Sequence, residues 1–346
     1  QPCAFIPPAF AALLAPFIAL GAEVVHLRIM NFLLVAGCVV VFYFLLRLQF
    51  DERASVIGTL LVILYPLFFY TGGTLFPQTL SAFLFLAFLY FLFHRPFSNR
   101  HALLAGITMG VLVLTVQTFL FVLAFSALFL IFFRRSYRQT GVMVAAAMLV
   151  IGFWGARNYV VFHRVVPLAV NLDFHLLVGN SENATPTAGV NADISQDTVG
   201  AHAMSEIDRH EYYRSRAIDW VVNNPSRDIV LYFGKALNHF HYTNRLKSEA
   251  ASIARDMLML VSYGPMLLLF IVRIVLSKKY PMGEMEKYFA SLYVMNAFFQ
   301  AIFFTRIRFR VPFDYLLIAV AAMTIVLLLD FYFRRAPTSV SNTARS

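Results

Sequence analysis

Long, sparsely charged apolar runs recur along this chain, and they decide what it can become. A helix needs about 20 residues to cross a hydrocarbon core roughly 30 Å thick. The runs Val24–Leu48, Ala54–Tyr70, Gln78–Phe93, Thr140–Ala156, Met257–Val275, Tyr288–Phe304 and Val311–Phe333 are of that order or a little shorter. Lipid offers no partner to a bare N–H or C=O, so such runs predict helices that satisfy their own backbones. With 37 Phe, 60% hydrophobic and only 13% charged residues, the chain has more apolar side chain than one water-soluble core hides. The predicted fold class is therefore all-α, a polytopic membrane helical bundle of about nine transmembrane helices with a partly helical external segment.

The net charge of +10 does not point to nucleic acid, because Lys and Arg fall in short clusters between the apolar runs, as cytoplasmic loops do. Putting Arg47 with Arg53, Arg95 with Arg100, and Arg134, Arg135 and Arg138 all inside makes His101–Phe133 a hairpin of two helices. Its first arm carries Gly106 and Gly110, spaced for close helix approach. The same rule places Val160–Ala250 outside, and puts Lys278, Lys279 and the tail beyond Arg334 and Arg335 inside. Parity makes Pro7-Pro8 and the short run Ala9–Leu20 a juxtamembrane or re-entrant external helix. The resulting domains are 1–158, a juxtamembrane helix plus six transmembrane helices; 159–250, an external (periplasmic) segment; 251–335, three transmembrane helices; and 336–346, a cytoplasmic tail. The predicted location is the inner (plasma) membrane, multi-pass, with the active face external.

Within the external segment, Val170–Asp197 is rich in Asn, Asp, Ser, Thr and Gly and reads as loop. Ser205-Glu206-Ile207-Asp208 opens a helix through Val222, Asn224-Pro225 ends it, and a second helix begins near Ser226 with Asp228 in its first turn. Cys3 and Cys38 give neither a disulfide framework nor a metal-ligand spacing. His239-Phe240-His241 lacks the i, i+4 spacing of two ligands on one helix face, so no metal and no cofactor are expected. The chain opens on Gln1 without a signal-peptide pattern and reads as truncated or processed at its N-terminus.

One segment breaks the charge rule. Thr305–Arg310 should be external, yet it has Arg306, Arg308 and Arg310 within six residues. A guanidinium anchors phosphate through charge-assisted, often bidentate hydrogen bonds and keeps its charge when partly desolvated, so these three are candidate ligands of a lipid phosphate. Arg157, closing the helix before the external segment, and Arg28, at the outer end of the Val24 helix, are placed at the same depth. Each also has a plain alternative, Arg157 as an interfacial anchor beside Trp154 and Tyr159, Arg28 as a local ion pair with Glu23.

These features occur in an order that resembles the type C glycosyltransferases, in particular the bacterial relatives of dolichyl-phosphate-mannose protein mannosyltransferases and aminoarabinose-lipid A transferases. The pieces are Pro7-Pro8-Ala9-Phe10 with Gly21, Arg28 ahead of its helix, Leu114-Thr115, Trp154-Gly155-Ala156-Arg157-Asn158-Tyr159-Val160-Val161-Phe162 leading through Val166-Pro167-Leu168 and Asn171 to Gly179-Asn180, and Arg306-Ile307-Arg308-Phe309-Arg310-Val311-Pro312. The resemblance implies transfer of a hexosyl or pentosyl group, with inversion, from a polyprenyl-phosphate-linked sugar to an acceptor lipid, glycan or protein at the outer face of the membrane. It implies substrate-binding roles for Asn158, Asn180 and Gln78, although Gln78 stands where relatives commonly have Glu. It also implies an acidic base in a first external loop, which this numbering places upstream of Gln1. Other classes compatible with many helices and a large external segment are an O-antigen polymerase or ligase, and a non-catalytic binding or transport protein. A transporter needs charged residues lining a mid-membrane path, and the runs are nearly free of them.

Overall fold

A computed structural model describes residues 5–166, 168–201, 203–243 and 252–335, with the backbone alone at 334–335. Cys3, Pro167 and the tail 336–346 lie outside the described residues. No strand occurs among the described residues.

The first half consists of α1 (Pro8–Ala19), α2 (Val24–Arg47), α3 (Glu52–Ile63), α4 (Pro66–Gly73), α5 (Gln78–Phe93), α6 (Asn99–Thr115), α7 (Leu120–Phe132) and α8 (Tyr137–Phe162). Then come α9 (Asn171–Gly179), α10 (Ser195–Thr198), α11 (Glu206–Asn223), α12 (Pro225–Asn238), α13 (Ile253–Leu276), α14 (Glu284–Ala301) and α15 (Ile307–Arg335). A helix thus stands at each predicted span, with the His101–Phe133 run forming the hairpin α6–α7. Four helices, α2, α8, α13 and α15, are long and apolar enough to cross a membrane alone, and α3 with α4, bent by 50°, qualify together. The chain is a multi-pass membrane protein.

The helices start where capping side chains supply an acceptor for an orphan N–H. Asp51 accepts from Ala54 N at 2.9 Å and Ser205 from Asp208 N at 3.3 Å. Inside the bundle, hydroxyls turn back onto their own helix, as Thr59 does to Ser55 O (2.8 Å) and Ser126 to Val122 O (2.6 Å), so these groups are not left bare to the lipid. Gly106 and Gly110 let α6 lie on α8: a Cβ at Gly106 would stand 2.3 Å from Met143 O, and one at Gly110 2.6 Å from Val150 Cβ. Helix α15 runs through the centre, buried without a break from Arg310 to Ala322, and packs on α3, α5, α13 and α14.

The bundle has two unlike ends. At one, Arg95 and Arg134 both reach Glu284 at the start of α14, and Gln49 accepts from Met285 N at 3.1 Å. At the other, the α14–α15 connection meets the α4–α5 turn and the segment carrying α9 to α12.

Two local expectations are corrected. Part of the predicted loop Val170–Asp197 is helical, because α9 buries Leu177 with Tyr213 and Ala217 of α11, and this packing overrides the polar composition. Helix α15 begins at Ile307, not Val311, so Arg308 and Arg310 are helical residues and Pro312 sits inside the helix.

Candidate functional site

Where α15 starts, its three neighbouring arginines part company. Residues two apart on a helix point about 200° from each other, so Arg308 and Arg310 leave α15 on opposite sides. Arg306 precedes the helix.

Arg310 turns into the core, fully buried, with Nε 2.9 Å from Asp314 Oδ1 one turn on. Its guanidinium lies 3.7 Å from the Tyr263 ring centroid and donates at 2.9 Å to both His239 O and His241 O. Tyr65 hydroxyl donates to the other Asp314 oxygen at 3.0 Å. This is a corrected assignment: Arg310, with Asp314, ties the joint between α3 and α4, the end of α12 and α13 to α15, and does not line the cavity described next.

Arg306 and Arg308 do line it. A cavity of about 540 Å³ opens between α4 and α13, with Pro66, Leu67, Tyr70, Leu258, Met259 and Val311 as its apolar walls. Its polar lining includes Arg306, Arg308, Gln78, Arg255 and Asp256. Arg308 stacks between Phe76 (5.7 Å) and Phe309 (5.0 Å), and its Nε has no hydrogen-bond partner among the described residues. Arg306 passes over Gly189, whose φ of +50° favours glycine; a Cβ there would stand 2.8 Å from Arg306 Nε and push that side chain aside. The Gln78 Oε1 is buried with no partner among the described residues. A largely apolar cavity with guanidiniums in its lining suits an amphiphile with an anionic head.

The other candidates lie elsewhere. Arg28 is exposed on α2, outside the cavity lining. Arg157 is exposed, stacked 4.8 Å from Trp154, and donates to Asn158 Oδ1 at 3.0 Å. Asn158 is buried and uses its amide on Val166 O (2.9 Å) and Leu168 O (3.2 Å), fastening the chain after α8. Asn180 is likewise structural here, donating to Leu176 O and Ile302 O at 2.8 Å each.

Sequence reasoning missed Lys235, Arg255 and Asp256. Lys235 reaches through α12 to Gly179 O (3.0 Å), Asn180 Oδ1 (2.8 Å) and Phe303 O (3.0 Å), pinning the strand of chain that leads into Arg306. Burial pushes its ammonium down to about 8 from 10.5. The unfolded chain therefore holds this proton more tightly than the folded one. The cost of the buried charge is full below pH 8 and is relieved as pH rises from about 8 to 10.5. Across that window the wild type is expected to gain stability relative to Lys235→Met in thermal melts, and parallel pH curves for the two would discard the assignment. Arg255 and Asp256 were legible only as the first turn of α13, signalled by the Ser252 cap accepting from Arg255 N at 3.3 Å. His175, pushed down to about 4 by burial and by Arg308, stays neutral beside the site.

Residues 6–155 match the family model described as dolichyl-phosphate-mannose-protein mannosyltransferase. The fold is similar to the crystal structure of the Archaeoglobus fulgidus oligosaccharyltransferase tethered with an acceptor peptide containing the NVT sequon, with TM-score 0.57 and 16% identity. That match covers 96% of this chain but 42% of the other, so the chain spans less than half of that structure, and at this identity the likeness is one of fold. No curated protein sequence matches. The sequence match is thus to the mannosyltransferase family over residues 6–155, and the likeness over nearly all of the chain is one of fold.

Proposed function

We propose that the α4–α13 cavity holds the phosphate of a polyprenyl-phosphate-linked sugar. The protein transfers that sugar, with inversion, to an acceptor lipid, glycan or protein at the outer face of a bacterial-type inner membrane. The observation that carries this reading is that Arg306, Arg308 and Gln78 line one cavity whose remaining lining is largely apolar. The isoprenoid would lie along α4 and α13, and the guanidiniums would meet the charge that develops on the leaving phosphate.

The proposed orientation rests on the opposite end, where Arg95 and Arg134 gather on Glu284 and Arg53 pairs with Asp330 at 3.4 Å. That basic end suits the cytoplasm, leaving the cavity and the segment 159–250 outside.

Arg308→Ala tests the site. A charge-assisted hydrogen bond is worth about 1.5–3 kcal/mol, so binding of a polyprenyl phosphate to the intact membrane protein should weaken roughly tenfold to a hundredfold. Turnover of a labelled polyprenyl-phosphate sugar should fall with it, while membrane insertion and melting stay as in wild type. Unchanged binding and turnover would remove Arg308 from the site.

A further inference from the structure

The two long helices between α8 and α13 present unlike faces. On α11 the exposed positions are mostly polar, Glu211, Arg214, Ser215, Arg216, Asp219 and Asn223, with Ile218 and Val222 near its end. Beyond the first turn of α12 they are all apolar: Ile229, Val230, Phe233 and Leu237 are 54% to 74% exposed and form one stripe along the helix. The other face is committed inward and buries Leu231, Lys235 and Ala236. Four large apolar side chains on one face are a patch that water does not tolerate without cause. Helix α12 also descends beside α14. It starts level with the end of α14, where Asp228 and Ile302 line one hollow. Further along, Tyr232 donates to Phe298 O at 3.0 Å, His239 Nε2 lies 3.3 Å from Asn296 Nδ2, and the Phe240 ring is 6.0 Å from that of Tyr293. From Ile302 back to Tyr293 is about 13 Å of helix, close to the ~15 Å depth of one leaflet. A helix that stops inside hydrocarbon leaves its last carbonyls without water. Here Arg310 Nη1 donates to His239 O and His241 O at 2.9 Å each, bringing positive charge to the negative end of α12.

We propose that α12 is a half-inserted helix, entering the leaflet on the cavity's side with Ile229, Val230, Phe233 and Leu237 against lipid chains. The partner of this face is the hydrocarbon of the bilayer. Met295, Phe298 and Ile302 lie on the exposed stripe of α14, and Tyr232 meets α14 at Phe298. The α12 face therefore continues a surface that α14, standing at a predicted span, already turns outward. Trp220 and Arg227, stacked 5.6 Å apart where α11 passes into α12, suit the headgroup level. The segment between α8 and α13 is thus divided, with α11 in water and α12 in the leaflet. Lys235 on the inward face holds Gly179 O and Phe303 O, at 3.0 Å each, so the inserted helix is fastened to the connection that leads to Arg306.

The test places single cysteines at Val230, Phe233 or Leu237 of the whole chain, in a Cys3→Ser, Cys38→Ala background, and labels each with a nitroxide in nanodiscs. Ser215 and Asp219 on α11 are the water controls. Leu268, 62% exposed on the span α13, is the lipid control. Every labelled side chain is exposed, so the label displaces no core packing. Collisions with oxygen, which concentrates in hydrocarbon, are compared with collisions with a nickel chelate, which stays in water. The oxygen-to-nickel ratio is expected to exceed both α11 controls, to rise in the order Val230, Phe233, Leu237, and at Leu237 to approach that of Leu268. A ratio at Phe233 and Leu237 equal to that of Ser215 puts α12 in water and overturns the proposal. Shielding from both reagents means that protein covers the face, a second copy or another partner, and overturns it as well. A lipid-like ratio with no rise along the helix leaves α12 lying flat on the leaflet, and the insertion falls.

Discussion

Arg310→Ala is expected to leave the protein unable to hold its fold, with a loss of about 3–5 kcal/mol, the cost of stranding one member of a buried ion pair. Asp314, fully buried, would keep only the Tyr65 hydroxyl as partner, and the carbonyls of His239 and His241 would each lose a donor. Arg310→Lys should recover little, because an ammonium can neither stack flat on Tyr263 nor reach two carbonyls and a carboxylate from one plane. The double variant Arg310→Met with Asp314→Leu removes both charges and should regain most of the stability. Melting of the purified protein in detergent measures all three. A stable Arg310→Ala protein that only loses lipid binding would return Arg310 to the phosphate site and refute the structural role given to it here.

Arg308→Ala has the opposite signature, intact melting with impaired binding, and the contrast between adjacent arginines marks the limit of what sequence could reveal. The helices were legible because hydropathy is a local property and lipid leaves the backbone few choices. That Thr305–Arg310 stands apart from the other connections was legible too, since its charge conflicts with the expected topology. Which arginine does which job was not legible: it depends on where α15 begins, and the partners that claim Arg310 come from residues such as Tyr65 and His239 that are distant in sequence. The i, i+4 spacing of Arg310 and Asp314 was the one available hint. Asn158 and Asn180 were read as substrate ligands from a motif, yet each amide closes a backbone crossing that only tertiary packing creates. Helix α9 was hidden for a similar reason, being short, set in a polar stretch and held by α11. Arg255 and Asp256 carry no motif, and only the cavity brings them to Arg308.

Gly179→Ala is expected to disrupt fold and site together. Gly179 ends α9 where it meets the α14–α15 connection, and a Cβ there would stand 1.8 Å from Phe303 O and 2.4 Å from its carbonyl carbon. Both obstacles are backbone, so no side chain can swing aside, and overpacking of this kind costs about 1–3 kcal/mol or more. Relief requires the two segments to separate. That breaks the three contacts of Lys235, which spans Gly179 O and Phe303 O, and the Asn180 bond to Ile302 O. Residues 302–305 run directly into Arg306, so the displacement reaches the cavity. Lowered melting and weakened polyprenyl-phosphate binding should therefore appear in the same variant. Gly152→Ala is the matched control, because a Cβ there meets nothing within 4 Å and alanine favours the interior of α8. A Gly179→Ala protein that melts like wild type but binds lipid phosphate poorly would mean that α9 contacts the ligand itself. One that binds normally would mean that the connection before Arg306 can shift without moving the arginine.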